Sequence, residues 1–547
     1  MSYLQVSKRL LCFRSCRLRF SRIRKVKCDE GRPACVKCVS TGRVCEGYEV
    51  WGGGNTLDLV LQTSLTKKKL LGIISLENED ERGFAEWFRC KTSFKMQGAF
   101  GSPFWETLVM QASLEEPPIF HAMLALSSVH KRVCFGVGEA EWERDPDRLE
   151  QFTLRQYSKA INALLQPRSG CEGEAATRVA LICCMLFICL EFLRGRYITA
   201  NDHLQNGMKL LTALQAKREF GTTIDNWLVE AFTRMNLLAV QFGHGYRAPL
   251  TMRLADNRAS HMITFGSVAQ ARSSLDSMYS EVIDLSQRCH QEASAQDAMK
   301  YVPGRDLVKL QERIKSDLDG WFITYKASRV NLQNQLGRVS KIGYELLFLF
   351  YAMAVIMADT CFRMDDEVAF DSHTNAFTSI INHSSKVLDA VQAVHSLDNP
   401  VFRSGSELFL FNADIGWTPP LFYTALHCRV RSIRHRAIEL LRVFPSKEGI
   451  WDSTFAASVS QQIIQIEEGD CYPDVFTNKN SYAGSEPADM SLDTLVLPAS
   501  RRVCDIHITL PDSPSAVSTL TCKRMKDNNI CEVITRKYDP TTNEWFE

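Results

Sequence analysis

The residues best suited to chemistry lie close together near the start of the chain. Cys28, Cys35, Cys38 and Cys45 are spaced C-x6-C-x2-C-x6-C. Zinc takes four thiolates in a tetrahedron, and a C-x2-C pair delivers two sulfurs to one ion. Four soft donors within 18 residues are better explained by zinc than by disulfides. Cys12 and Cys16 lie upstream with C-x3-C spacing and are candidate ligands as well. Directly before Cys28 runs Arg22-Ile23-Arg24-Lys25-Val26-Lys27, four cations in six residues. A cationic run leading into a metal ligand predicts a short helix held at its end by zinc. On duplex DNA such cations neutralise phosphates, and one or two reach guanine O6 and N7 in the major groove. The bland alternative is a solvated or nuclear-import patch.

Charge divides the chain in the same place. Residues 1–48 carry 12 basic and 3 acidic side chains, a net charge of +9. The rest carries 52 basic and 60 acidic, or −8, so the overall +1 hides two different electrostatic bodies. A compact basic module suits a polyanion; a mildly acidic body implies a separate task. At 547 residues, 45% apolar and 23% charged, the chain can bury a large core. Collagen-like, wholly disordered and disulfide-scaffold classes are excluded. Six of the 19 cysteines fall in the first 48 residues, and many others sit in apolar runs such as 182–189, as small core hydrophobes do. The odd total, and a start (Met1 to Leu11) without an apolar run of signal-peptide length, predict a reducing compartment. The longest apolar stretches, Val179–Leu190 and Leu346–Ala358, fall short of the ~20 residues of a spanning helix, so no membrane is expected.

The elements that must carry this module follow from periodicity and punctuation. Residues 12–48 form the cysteine module, and 49–80 a linker whose Trp51-Gly52-Gly53-Gly54-Asn55 breaks regular structure. Residues 81–471 read as helical. Pro117-Pro118 opens one helix. Others are expected over Phe152–Leu165, Ala175–Leu193, Tyr197–Leu211, Thr223–Phe242, Leu307–Ala327, Lys341–Met364, Ser379–His395 and Pro420–Val443. Residues 472–498, rich in Ser, Asn, Asp and Pro, form a loop. Alternation over 505–510, 516–523 and 530–538 then predicts a β-meander within 499–547. The fold class is mainly α: a small N-terminal zinc cluster module, a large all-helical domain and a short C-terminal β-meander.

From Arg22 through Cys28, Pro33, Cys35, Cys38, Gly42 and Cys45 to Tyr48, the chain resembles the fungal transcription factors with a six-cysteine, two-zinc cluster. The family spacing is C-x2-C-x6-C-x6-C-x2-C-x6-C. The resemblance implies that Arg24 and Lys25 meet base edges, typically of a CGG half-site, that Arg22 and Lys27 flank them on phosphates, and that Pro33 turns the loop joining the cluster's halves. Counting back from Cys28, the family's first two cysteines fall on Leu18 and Ser21. Three accounts are open. Cys12 and Cys16 substitute; or the finger is degenerate and holds at most one zinc; or residues 1–21 are not the true N-terminus and a complete cluster holds two. Stretches 102–111, 116–130, 186–197, 203–211, 415–423, 434–441, 501–505 and 520–523 are similar to the helical regulatory domain of the same factors.

The remaining singled-out residues take structural roles. Cys183, Cys184, Met185, Phe187 and Cys189 are expected in the core, and Arg429, Arg431, Arg434 and Arg436 on a solvated helix face. His121, His130, His203 and His427 are expected to be hydrogen-bonded, and Glu191 to pair with Arg194 or Arg196. Zincin, nucleophile-elbow and P-loop patterns are absent, and Gly136-Val137-Gly138 lacks the third glycine of a dinucleotide fingerprint, so an enzyme is not expected. The sequence predicts a nuclear, zinc-dependent, sequence-specific regulator of RNA polymerase II transcription, with double-stranded DNA and coregulators as partners. Without sustained heptads in 49–80, coiled-coil dimerisation is unsupported. The alternative is an interaction-only regulator whose broken finger does not bind DNA.

Overall fold

The computed structural model describes residues 79–135, 146–166, 173–216, 223–243, 263–294, 302–333, 338–363, 366–397, 410–469, 497–525 and 531–547. The cysteine module, the 51–55 break and the 472–496 part of the loop lie outside the described residues.

Helix α1 (Glu79–Trp87) continues through a π-helical turn at Phe88–Thr92 to Met96, and after a turn a second π-helical segment, Phe104–Leu108, follows. Eight long helices follow: α2 (Pro117–Phe135), α3 (Pro146–Leu165), α4 (Glu174–Leu193), α5 (Tyr197–Gln215), α6 (Thr223–Gln241), α7 (Val268–Ser294), α8 (Arg305–Gln333) and α9 (Arg338–Thr360). A 3-10 turn (Glu367–His373) leads into α10 (Thr374–Leu397). Proline opens α2 as expected, since its missing N–H is one that a first turn leaves unpaired anyway. α2 packs on α3 and α4, α4 on α5, and α9 on α7, α8 and α10.

α4 and the 341–360 part of α9 are long and apolar enough to cross a bilayer. Yet 78% and 72% of those stretches are buried inside the protein, which makes them core helices. Cys183, Met185, Phe187 and Cys189 are in the core as expected, while Cys184 is half-buried and donates its thiol to the His203 carbonyl.

One crossing depends on the absence of a side chain. At Gly207 of α5, a Cβ would lie 2.3 Å from Phe232 Cε1 on α6 and 2.9 Å from Cys184 Sγ on α4. In an open helix, glycine to alanine stabilises by about 1 kcal/mol. Here Gly207→Ala is expected to destabilise by about 1–3 kcal/mol, because the ring must shift. A thermal unfolding midpoint that stays level or rises would show the crossing to be loose.

The expected Pro420–Val443 helix is two helices, α11 (Thr418–His427) and α12 (Arg431–Val443). Cys428 and Val430 are extended and break the helical path. The body is also not purely helical. β1 (Leu410–Asn412) pairs in parallel with β2 (Ser446–Glu448), which pairs antiparallel with β3 (Trp451–Asp452). This sheet threads between α11, α12 and α13 (Ser453–Glu468).

The C-terminal meander has four strands, one more than expected: β4 (Val503–Thr509), β5 (Ser518–Met525), β6 (Cys531–Asp539) and β7 (Glu544–Phe546), antiparallel in that order. Val503, Ile508, Leu510, Leu520 and Cys522 alternate inward and join the same core as the helices. Trp545 donates to the Ser458 hydroxyl of α13 at 2.9 Å.

Candidate functional site

The predicted zinc ligands (Cys28, Cys35, Cys38, Cys45, Cys12, Cys16) and DNA contacts (Arg22, Arg24, Lys25, Lys27) all lie outside the described residues. Among the described residues, no group of three or more His, Cys, Asp or Glu side chains could hold a metal ion. None of the 11 described cysteines is in a disulfide. The chemistry of the donor set suits zinc, with four thiolates at the family's spacing, while Leu18 and Ser21 carry no thiolate where the family's first two cysteines fall.

The described domain is organised instead around three buried charge centres. The first is Glu467, in the last turn of α13 and fully buried. Asp452 caps this helix, accepting from Thr454 and Phe455 N–H. An acid at a helix C-terminus faces the negative end of the helix dipole and needs cations. Arg429 Nη1 lies 2.8 Å from Glu467 Oε1, and Arg434 Nη2 2.6 Å from Oε2. Arg429 Nη2 reaches Glu367 Oε2 at 2.5 Å. Burial works against the charge on Glu367, but His427 and Arg429 beside it hold its carboxyl below the ordinary range.

The C-terminal sheet plugs into this centre. Val503 N–H, the first of β4, donates to Glu467 Oε1 at 2.8 Å. Arg502 forks onto Asp371 with two bonds of 2.9 Å and donates to the Glu367 carbonyl at 3.0 Å. Such parallel guanidinium–carboxylate pairing fixes orientation as well as charge.

The solvated-face expectation therefore needs correction. Arg436 is exposed and Arg431 is half-buried, but Arg429 and Arg434 are buried. The break at 428–430 resets the helical phase and turns both inward, toward acids from distant segments.

The second centre is Arg272 of α7, 0% exposed. It donates to Asp414 Oδ2 at 2.7 Å and to Asp276 at 3.2 Å, above the Phe100 ring at 4.1 Å. Burial would lower its pKa, but Asp414 and Asp276 outweigh that and raise it. Arg234 of α6 supplies a second guanidinium, 3.7 Å from Asp414. Together these pin the 412–416 segment against α6 and α7.

The third is Glu448 on β2, which caps α11 from outside. It accepts N–H groups from Gly416, Trp417 and Thr418, and hydroxyls from Thr418 and Ser446. A Cβ at Gly416 would lie 2.3 Å from this carboxylate, so a side chain there would have to displace Glu448 from its bonds. Burial pushes the Glu448 carboxyl up to about 7, against the pull of these bonds. A raised carboxyl pKa favours the protonated native form, so its stabilising contribution is complete below about 4.5 and is lost as pH rises through about 7. Between pH 5 and 8, wild-type stability is expected to fall relative to Glu448→Gln by about 3 kcal/mol. Parallel denaturation curves at both pH values would contradict this.

The histidines behave as expected. His121 bonds Gln156 at 2.7 Å, His203 bonds Tyr157 at 3.0 Å, and His427 pairs with Glu367 at 3.4 Å. His130 bonds Thr92 at 2.9 Å and is held neutral, its pKa lowered to about 3 by burial and by Lys95 and Lys91. Glu191 pairs with Arg194 at 3.5 Å. Sequence reasoning missed Glu467, Glu367, Glu448, Arg272 and Asp414. Apart from Asp276 beside Arg272 and Ser446 beside Glu448, the partners named above are dozens of residues away, where no local spacing signals them.

The family model for the fungal Zn(2)-Cys(6) binuclear cluster domain matches residues 20–50, and that for the fungal specific transcription factor domain matches residues 90–300. The chain is 23% identical over 542 residues to the aspercryptin biosynthesis cluster-specific transcription regulator atnN of Emericella nidulans, spanning 82% of this chain and 86% of that one. It is 31% identical over 209 residues to transcription regulator lscL of Purpureocillium lilacinum, spanning 36% of this chain and 49% of that one. No solved structure matches. The chain is thus similar, in order, to a fungal zinc-cluster domain and a fungal specific transcription factor domain, and both of these relatives are named as transcription regulators rather than enzymes.

Proposed function

We propose that the chain is a nuclear, sequence-specific regulator of RNA polymerase II transcription whose residues 22–48 read duplex DNA. The observation that carries this is the cluster match over residues 20–50, where a four-cation run leads into four spaced cysteines. Zinc, when bound, supplies the cross-link that lets so small a segment hold a shape. Cys28, Cys35, Cys38 and Cys45 are its ligands. Arg24 and Lys25 meet guanine edges of a CGG half-site, and Arg22 and Lys27 anchor the module on phosphates. The acidic body contacts coregulators. A relative is named for a biosynthetic gene cluster, and a metabolic or secondary-metabolite gene set is our reading here too.

Competition gel shifts test the base contact. Arg24→Ala is expected to reduce discrimination against a substituted guanine by about 1–3 kcal/mol. Lys27→Ala is expected to weaken specific and scrambled duplexes alike and to flatten the salt dependence by about one charge. Undiminished guanine preference in Arg24→Ala would overturn the assignment.

Leu18 and Ser21 favour one rival, a regulator that acts through protein contacts alone with a degenerate finger. Zinc content separates the two. Two ions per chain support the DNA reader, with Cys12 and Cys16 or an extended N-terminus completing the set; none supports the rival.

A further inference from the structure

We propose that Ser513 is a phosphorylation site for a proline-directed serine/threonine kinase, placed at the turn that clasps the C-terminal sheet to the helical body. Such a kinase must seat a hydroxyl and the proline that follows it, so the dipeptide has to be accessible. The sequence contains three candidates: Ser102-Pro103, Thr418-Pro419 and Ser513-Pro514. Ser102 is buried, its N–H held by Gln97 at 3.2 Å. Thr418 is 0% exposed and its hydroxyl is committed to Glu448 at 2.8 Å. Ser513, itself half-buried, sits on the turn between β4 and β5, flanked by exposed Asp512, Pro514 and Ser515. Its hydroxyl lies 3.3 Å from that of Ser515.

The transfer needs only Mg-ATP. Ser513 Oγ bonds the γ-phosphorus, the bond from that phosphorus to the ADP oxygen breaks, and the hydroxyl proton leaves to the kinase base. No oxidant or reductant is involved.

The location gives the modification a consequence. Asp512, the preceding residue, accepts Thr199 N–H at 2.9 Å and the Thr199 hydroxyl at 2.7 Å, in the first turn of α5. Pro514 packs against the Gly195 corner, where a Cβ would come within 3.3 Å of it and φ is +71°. A phosphate adds about −1.5 to −2 charge at neutral pH. The α5 N-terminus and exposed Arg196 attract it, but the donors of Thr199 are already committed to Asp512. The phosphate gains them only by displacing that carboxylate, and otherwise repels it. On either course the Asp512 clasp is lost.

The test uses the full chain, a purified proline-directed kinase and labelled ATP, with phosphopeptide mapping. Short peptides spanning each dipeptide are expected to be labelled, whereas in the native chain Ser513 is expected to be labelled at least about 10-fold faster than Ser102 or Thr418. Ser513→Ala is expected to remove that label. Comparable labelling of the buried dipeptides, or none on Ser513, would overturn the site. For the coupling, Asp512→Ala is expected to lower the unfolding midpoint of the unmodified chain by about 1–3 °C and to leave that of the phosphorylated chain unchanged. An equal loss in both forms would overturn the link to the clasp.

Discussion

Cys38→Ser is expected to abolish sequence-specific DNA binding while leaving the helical domain folded. Cys38 belongs to the C-x2-C pair with Cys35, and serine is a far poorer ligand for zinc than a thiolate. A segment of this size cannot bury enough surface to fold alone. In small zinc modules the metal supplies about 10–16 kcal/mol of apparent binding free energy, which is folding free energy. With the site broken, Arg24 and Lys25 lose the frame that aims them, and affinity should fall to the non-specific level, about 10³-fold or more. Among the described residues the helical core begins at Phe84 and is built from helices and strands of the body, so the main thermal transition should not move. Gel shifts and thermal melts on the same preparation check both halves. Specific binding that survives in Cys38→Ser would exclude this residue as an essential ligand.

Glu467→Ala is the second large effect, and it falls on the body. The substitution removes the acid between Arg429 and Arg434 and the acceptor for Val503 N–H. Two buried guanidinium groups then lose their shared counter-charge, and breaking one partner of a buried pair costs about 3–5 kcal/mol. Glu467→Gln keeps the shape and one acceptor but loses the charge, so it should fall between wild type and alanine. Because Val503 and Arg502 join β4 to this centre, proteolysis should reach the C-terminal sheet earlier in Glu467→Ala. Chemical denaturation with limited proteolysis checks this. A loss below about 1 kcal/mol would show that water or other residues replace the acid.

The sequence made some of this legible for clear physical reasons. α2 is announced by Pro117-Pro118, and α4 by an apolar run bounded by glycines. β4 and β5 follow from alternation around the Asp512–Pro514 turn, which in β4 is interrupted by a register shift between Cys504 and His507. β1, β2 and β3 have only two or three residues each, too short for alternation to register. The break at 428–430 carries no glycine or proline, so Arg429 and Arg434 look like cations along one continuous face. Their inward turn is set by Glu467, 38 and 33 residues away, and by Glu367. Arg502 and Asp371 lie 131 residues apart. A buried pair of that kind is a property of the packed chain, not of any window of sequence. The zinc module shows the opposite case. The proposed ligands Cys28, Cys35, Cys38 and Cys45 and the four cations fall within 24 residues, so spacing alone carries the inference.

The most direct test of that inference is a titration of fluorescent duplexes with the purified full chain, run as isolated, after chelation, and after zinc is restored. A CGG-containing duplex should be bound far more tightly than a scrambled one, the preference should vanish with the metal, and it should return when zinc does. Equal affinity for both duplexes with zinc present, or a preference indifferent to chelation, would contradict a zinc-held module that reads DNA.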